Sequence, residues 1–274
     1  MIVGRISLLF NVIWTVLIWI VGLYVVLCIL LFLFQHLFFF RPEILPTNFE
    51  YQYPFEHEEL DFDMEDGGTI NSILFKVPNS RGVIFYFKGN SRSIKGWGKF
   101  AKDYVSNGYD FFIMDYRGFG KSKGKRTESK LYADGQQIYK WMTKRYEEKN
   151  IIVIGRSYGS GIAARVASWN NPRMLILDSP YYSFLYIAKR FAFFLPLKFL
   201  LRYKIPTNQF LKKMSSPIHI IHGTRDFLIP FSHSEKLKED HPDKVSLHPV
   251  VGAGHNNLPA FPHFHELLYQ ILNQ

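Results

Sequence analysis

The chain has 274 residues, 47% hydrophobic and 20% charged, enough for one large core in a single catalytic-sized domain with a small appendage. Its 33 Lys and Arg against 23 Asp and Glu give a formal net charge of +10, which suits anionic partners; no zinc-finger, RNP-like or basic-zipper pattern organises these residues, so nucleic acid is set aside in favour of a solvated or membrane-facing basic surface. The single cysteine, Cys28, excludes an internal disulfide, a cysteine metal cluster and a Cys-x-x-Cys redox pair.

From Ile6 to Phe40 there is no Asp, Glu, Lys or Arg, and Val12 to Phe34 is almost all Ile, Leu, Val, Phe and Trp. About 20 such residues cross a bilayer. Residues 1–41 are therefore expected to form a tilted transmembrane anchor, with Gln35, His36 and Phe38 to Phe40 near the head groups and an end at Arg41-Pro42. A cleaved signal peptide needs a small-residue site, and no alanine precedes Ala101. A lipoprotein reading at Cys28 fails because Leu27 precedes it and more apolar sequence follows. Arg5 and the amino terminus on one side against Arg41 on the other favour the amino terminus inside and the catalytic domain outside the cytoplasm.

After an acidic junction from Glu56 to Asp66, apolar β-rich runs recur at Val83 to Phe87, Phe111 to Asp115, Ile151 to Gly155, Met174 to Asp178 and Ile218 to His222, with a mixed one at Val245 to Val251. Continuous apolar runs of this length predict strands buried on both faces. Helical patterns lie between them at Trp97 to Ser106, Leu131 to Tyr146, Ser160 to Trp169 and Ser234 to Glu239, with a last one near Phe264 to Leu272. The alternation predicts a mostly parallel sheet flanked by helices. Segments around Leu60 to Met64 and Ile70 to Val77 are expected to add antiparallel edge strands. From Ser179 to Pro217 the alternation is interrupted by a segment rich in large apolar residues, read as a small helical cap.

The run Ile151 to Ile154 leads directly into Gly155-Arg156-Ser157-Tyr158-Gly159, and the helical pattern follows at once. A Gly-x-Ser-x-Gly match arises by chance on the order of 0.1 times in a chain of this length. Its position between strand and helix is what gives it weight: a sharp reversal with serine at the apex leaves no room for side chains two residues away, so glycine fits there. Gly120-Lys121-Ser122 is no phosphate loop, because position 115 is Asp where that motif needs glycine.

The chain resembles the α/β-hydrolases, more narrowly the membrane-anchored α/β-hydrolase-domain proteins grouped with monoacylglycerol lipases, protein depalmitoylases and serine aminopeptidase-like sequences. The resemblance runs from about Phe62 to the C-terminus. It rests on Phe87-Lys88-Gly89-Asn90, Asp115-Tyr116-Arg117-Gly118-Phe119-Gly120, the serine turn, Leu177-Asp178-Ser179-Pro180, His222-Gly223-Thr224-Arg225-Asp226 and Gly252-Ala253-Gly254-His255. Lys88 departs from the histidine usual in the family. The resemblance implies an α/β-hydrolase fold over residues 42–274, with about eight strands and a cap at 179–217.

It also implies an order of serine, acid and histidine along the chain. Ser157 is the expected nucleophile, His255 the base that takes its proton and Asp226 the carboxylate that orients His255. Asp178 is the rival acid. His222 ends a strand and is either structural or a second group facing the site, while Asp115 reads as a brace for the following loop. The backbone amides of Tyr158 and Asn90 are the expected oxyanion donors. Phe191, Phe193 and Phe194 are expected to line or lead to an acyl pocket, or else to pack the cap on its own domain.

The expected function is a serine hydrolase of acyl esters or thioesters beside a bilayer, through an acyl-serine intermediate, with no metal or cofactor. Two alternatives stand: a peptidase with the same triad, for which the cap shows no acidic cluster to bind a peptide amino terminus, and a non-catalytic module on the same fold.

Overall fold

The computed structural model describes residues 2–274, residues 2–7 and 9 by backbone alone. Helix α1 spans Ile2–Phe39. Its apolar stretch Phe10–Phe39, 30 residues with mean hydropathy 3.1, is long enough to cross a membrane. Its last turns are not free. Gln35 and Phe40 are buried, and the Phe40 ring packs edge-on against Phe119, Tyr158 and Tyr203. Of the residues expected near head groups, Phe38 is exposed, whereas Gln35 and Phe40 face the rest of the protein.

Eight strands form one sheet in the order β1-β2-β4-β3-β5-β6-β7-β8: β1 His57–Asp63, β2 Thr69–Phe75, β3 Val83–Phe87, β4 Asp110–Met114, β5 Ile151–Arg156, β6 Met174–Asp178, β7 Ile218–Gly223 and β8 Val245–Val250. The β1-β2 and β2-β4 pairs are antiparallel, and the pairs from β4 through β8 are parallel. The expected antiparallel edge is thus β1 and β2. β3 through β7 are buried throughout, as strands covered on both faces must be. Side-chain alternation divides them between two cores. Val83, Phe85 and Phe87 of β3 join the core under α4 (Glu128–Met142) and α5 (Tyr158–Ala167), while Ile84 and Tyr86 join the one under α3 (Ala101–Val105) and α10 (Pro262–Leu272).

The helix expected over Trp97 to Ser106 is broken into α2 (Ile94–Trp97), a 3-10 turn at Gly98–Phe100, and α3. Gly96 and Gly98 weaken it, and the Tyr53 ring lies where a side chain at Gly98 would point. α4 begins earlier than expected because Thr127 caps it, its hydroxyl accepting from the Lys130 amide at 3.3 Å. The 179–217 segment holds α6 (Phe184–Ala192), α7 (Leu197–Leu200) and α8 (Thr207–Lys212). Phe210 and Leu211 of α8 belong to the main core beside α5, so the free-standing part of the insertion is α6, α7 and their link. α9 (Ser232–Asp240) covers β8.

A buried ion triad locks the β4–α4 connection. Arg117 donates from Nε and Nη2 to both oxygens of Asp134, at 2.8 and 2.6 Å, and from Nη1 and Nη2 to Asp66 at 2.8 and 2.7 Å. Arg117 and Asp134 are buried, Asp66 partly exposed. Removing one partner of such a set leaves an uncompensated charge in a dry site. Arg117→Ala is expected to destabilise the protein by about 3–5 kcal/mol, read as a lowered denaturation midpoint of the detergent-solubilised protein, with Lys149→Ala as the near-neutral surface control.

Candidate active site

The chain moves from β3 outward to β4 and then crosses back to β5 on the other side of β3. Such a reversal opens a crevice beyond the carboxyl ends of the two flanking strands. Here those ends carry Lys88-Gly89-Asn90 after β3 and Ser157 after β5. Ser157 has φ 52° and ψ −120°, a conformation that costs a non-glycine residue about 1–3 kcal/mol and persists only when its surroundings enforce it. Its amide donates to the Asp178 carbonyl at 2.8 Å, and its carbonyl accepts from the Ser160 amide at 3.0 Å and hydroxyl at 2.6 Å. A Cβ at Gly155 would meet Ala163 and the Gly159 carbonyl, and one at Gly159 would meet the Phe87 and Lys88 carbonyls. The two glycines are what let β5, α5 and the loop after β3 close on one another.

His255 lies in the loop after β8. Its Nε2 is 2.9 Å from Ser157 Oγ and its Nδ1 is 2.7 Å from Asp226 Oδ2. The Arg156 guanidinium donates to the His255 carbonyl at 3.1 Å and reaches Asp178 at 3.4 Å, so Asp178 pairs with Arg156 and the carboxylate against His255 is Asp226.

Asp226 accepts four hydrogen bonds. Oδ1 takes the Leu228 and Ile229 amides at 2.9 and 2.8 Å, while Oδ2 takes His255 and, at 3.1 Å, His222 Nε2. Burial acts to raise the Asp226 pKa, but the bonds from His222 and His255 outweigh it and hold the carboxyl well below the usual carboxylate range. His222 is fully buried; its Nε2 also faces the Ile229 carbonyl at 2.9 Å and its Nδ1 the Ser234 hydroxyl at 2.6 Å. Two acceptors at Nε2 make that nitrogen the N–H, leaving Nδ1 to accept from Ser234. His222 is therefore structural and part of the site at once. The four-residue spacing to Asp226, across the turn that ends β7, is the signal for it in the sequence.

Asn90 and Tyr158 both line the cavity over Ser157, and among the described residues the amide of neither donates to a protein acceptor. The Asn90 side chain donates to the Phe39 carbonyl at the end of α1, and the Asn90 backbone carbonyl accepts from the Arg41 amide at 3.0 Å. Lys88 is buried 3.3 Å from Asp115 and 4.0 Å from the Phe119 ring centroid, and donates to the Arg92 carbonyl at 3.0 Å. Burial pushes its ammonium down to about 8 against the pull of Asp115, and burial pushes Asp115 up to about 6 against Lys88. The Asp115 carboxylate braces the start of α2, through the Ile94 amide at 3.0 Å, and its backbone carbonyl holds the following loop by accepting from the Ser122 hydroxyl at 3.0 Å.

The cavity over Ser157 has a volume of about 370 Å³ and an overwhelmingly apolar lining. Phe191 is in its wall. Phe193 and Phe194, expected there too, are not: they follow the last turn of α6, are 82% and 57% exposed and stack edge-on against each other. The inward stripe of α6 is Phe184, Ile187, Ala188 and Phe191, the i, i+3, i+4, i+7 face of a helix, and positions 193 and 194 fall outside it. Sequence also missed the opposite wall, contributed by Leu31, Gln35, Phe38 and Phe39 of α1.

The family described as serine aminopeptidase, S33, matches residues 78–210. Alpha/beta hydrolase domain-containing protein 17C of Xenopus tropicalis is 33% identical over 221 residues, covering 76% of this chain and 67% of that protein. Alpha/beta hydrolase domain-containing protein 17B of Homo sapiens is 32% identical, covering 72% and 68%. The human 17C protein, at 33% identity, is covered over only 60% of its length. Among solved structures, an esterase from Pyrococcus furiosus superposes with TM-score 0.66 at 21% identity, covering 85% of this chain and 96% of that one. An acetyl xylan esterase from Paenibacillus gives 0.67 at 16%, covering 82% and 87%; at such identities the likeness is one of fold. With the sheet order, the serine turn and these relatives together, the chain belongs to the α/β-hydrolase superfamily.

Proposed function

We propose that this protein is a membrane-anchored serine hydrolase that cleaves acyl esters or thioesters through an acyl-serine intermediate. The observation that carries the proposal is the unbroken relay Asp226–His255–Ser157, with bonds of 2.7 and 2.9 Å, at the floor of an apolar cavity. His255 takes the Ser157 proton as Oγ attacks the acyl carbonyl, and Asp226 fixes the tautomer and stabilises the imidazolium. The Tyr158 and Asn90 amides receive the oxyanion. Collapse of the tetrahedral intermediate expels the alcohol or thiol, which takes its proton from His255. A water activated by His255 then releases the acid and restores Ser157.

The relatives support a hydrolase, and the esterase activity named for the structural neighbours belongs to this chain only as part of the proposal. The apolar cavity favours an acyl group. The aminopeptidase in the matched family's description gives a second reading, but a peptide amino terminus needs a nearby carboxylate and none lines the cavity. α1 supplies the membrane anchor.

A fluorophosphonate probe is expected to label the wild-type protein and not Ser157→Ala. An absence of wild-type labelling overturns the hydrolase proposal. In a panel of acyl esters, thioesters and peptide amides, kcat/KM is expected to rise about fourfold per added methylene until the cavity is filled, from about 0.8 kcal/mol per buried CH₂; turnover of amides alone would replace the acyl reading by the peptidase one. Asp226→Asn is expected to lower kcat by about 10⁴ through loss of the correct His255 tautomer. Asp178→Asn should cost far less, because its partner is Arg156, and steady-state kinetics on the two variants checks the ordering.

A further inference from the structure

Burial along the second half of α1 follows one face. Cys28, Leu31, Gln35 and Phe39 are partly or fully covered while the residues between them are exposed, a spacing of three and four residues that keeps them on one side of the helix. The face meets the cap. Cys28, Leu31 and Phe39 pack with Leu195, Leu197 and Leu201, and Tyr24 reaches the Phe194 carbonyl at 3.1 Å. Gln35, 4% exposed in a helix otherwise apolar here, donates to the Leu200 carbonyl at 3.0 Å and accepts from the Arg202 amide at 2.9 Å. Four residues of this part of α1 line the cavity over Ser157: Leu31, Gln35, Phe38 and Phe39.

Three lining residues are nonetheless exposed: Phe38 at 66%, Phe191 at 62% and Leu228 at 50%. Leu228 belongs to the loop after β7, and the two most exposed, Phe38 of α1 and Phe191 of α6, mark an opening along the seam between those helices. Beside the seam the cap projects Phe193, Phe194 and Phe199, all exposed, among Lys189, Arg190, Lys198 and Arg202. An apolar tip set among cations suits a head-group boundary and not open water. The length of α1 agrees. Thirty apolar residues at 1.5 Å each extend about 45 Å, some 15 Å more than a hydrocarbon core of about 30 Å, and the surplus of about ten residues leaves room outside that core for the cavity-lining part of α1, Leu31 to Phe39.

We infer that α1 is one wall of the substrate site, and that a long acyl chain reaches Ser157 directly from the bilayer through the seam between α1 and α6. The inference rests on the serine hydrolase reading above and adds to it the chain's route and the residues that select its length. Leu31 and Ala188 face the cavity from its two sides and limit how much chain it holds. Gln35 is a positioning residue that fixes the α1 wall against α7.

The test uses the full chain in phosphatidylcholine vesicles, treated with a long-chain alkyl fluorophosphonate that loses fluoride as its phosphorus bonds to Ser157 Oγ and that carries a photoreactive diazirine at its chain end. After irradiation, adducts are expected within Leu31 to Phe39 and on α6. In parallel, Leu31→Trp is expected to lower the long-chain to short-chain ratio of kcat/KM about tenfold by overfilling the wall. Leu30→Trp, on the exposed side of α1 and outside the cavity lining, leaves that ratio within about twofold of wild type. Adducts confined to residues outside α1 overturn the inference, as does a Leu31→Trp ratio within about twofold of wild type. If Leu31→Trp does not fold, the adduct map of the wild type decides alone. If the wild type takes no phosphonate at all, the hydrolase reading falls and this inference with it; labelling of Ser157 without adducts in α1 removes only this inference.

Discussion

The left-handed backbone at Ser157 is the constraint on which the rest of the site depends. A strand that reverses into a helix within one residue brings β5, α5 and the loop after β3 closer than side chains allow, so Gly155 and Gly159 have no side chains to offer. The same closeness places Tyr158 and Asn90 at one cavity. The strain is held by bonds from both sides, the Ser157 amide to the Asp178 carbonyl and the Ser160 hydroxyl to the Ser157 carbonyl. Because β6 supplies the first of these bonds and α5 the second, the apex cannot relax without loosening the central sheet.

Around that apex the buried charges of Arg156, Asp178, Lys88, Asp115 and Asp226 are paired, while Asp178 Oδ1 takes no hydrogen bond from the described residues. Asp178 serves Arg156, which in turn holds the carbonyl of His255. Lys88 and Asp115 neutralise one another beneath the loop that carries Asn90. Asp226 is the most heavily bonded, with two amides and two imidazoles. Both Asp226 oxygens are satisfied, and satisfaction is what makes a buried polar group rigid rather than costly. The His222 bond therefore restricts the Asp226 oxygen that His255 uses, and the position of the base is set two residues deep.

What sequence could read followed from how each feature is encoded. The central strands were legible because a strand covered on both faces must be continuously apolar, and β3, β5, β6 and β7 fell within a residue or so of their expected limits. The serine turn was legible because backbone strain dictates glycine at fixed spacing. The break between α2 and α3 was not, since it depends on Tyr53, a residue over forty positions away that packs on Gly98. Phe193 and Phe194 lie outside the cavity wall for a related reason: large apolar residues mark both a pocket wall and an exposed rim, and only the turn that ends α6 decides between them. In α1 a uniformly apolar composition hides any working face, because periodicity needs contrast. Gln35 and His36 break the uniformity near its end, and of the two only Gln35 lies on the covered face.

That residue also changes what the helix is for. α7 has four residues, too few to be stable alone, and its terminal carbonyls have no partner within the helix. Gln35 supplies one to Leu200 and accepts from Arg202 just beyond. At the other end of the same stretch, Asn90 donates to the Phe39 carbonyl and so satisfies the last turn of α1 in exchange. α1 thus completes the cap at one point and is completed by the loop after β3 at another, about one helical turn along. A tether needs neither bond. The pair of them makes the lower part of α1 a structural member of the hydrolase, with its position tied to the cap and to the loop whose Asn90 lines the cavity.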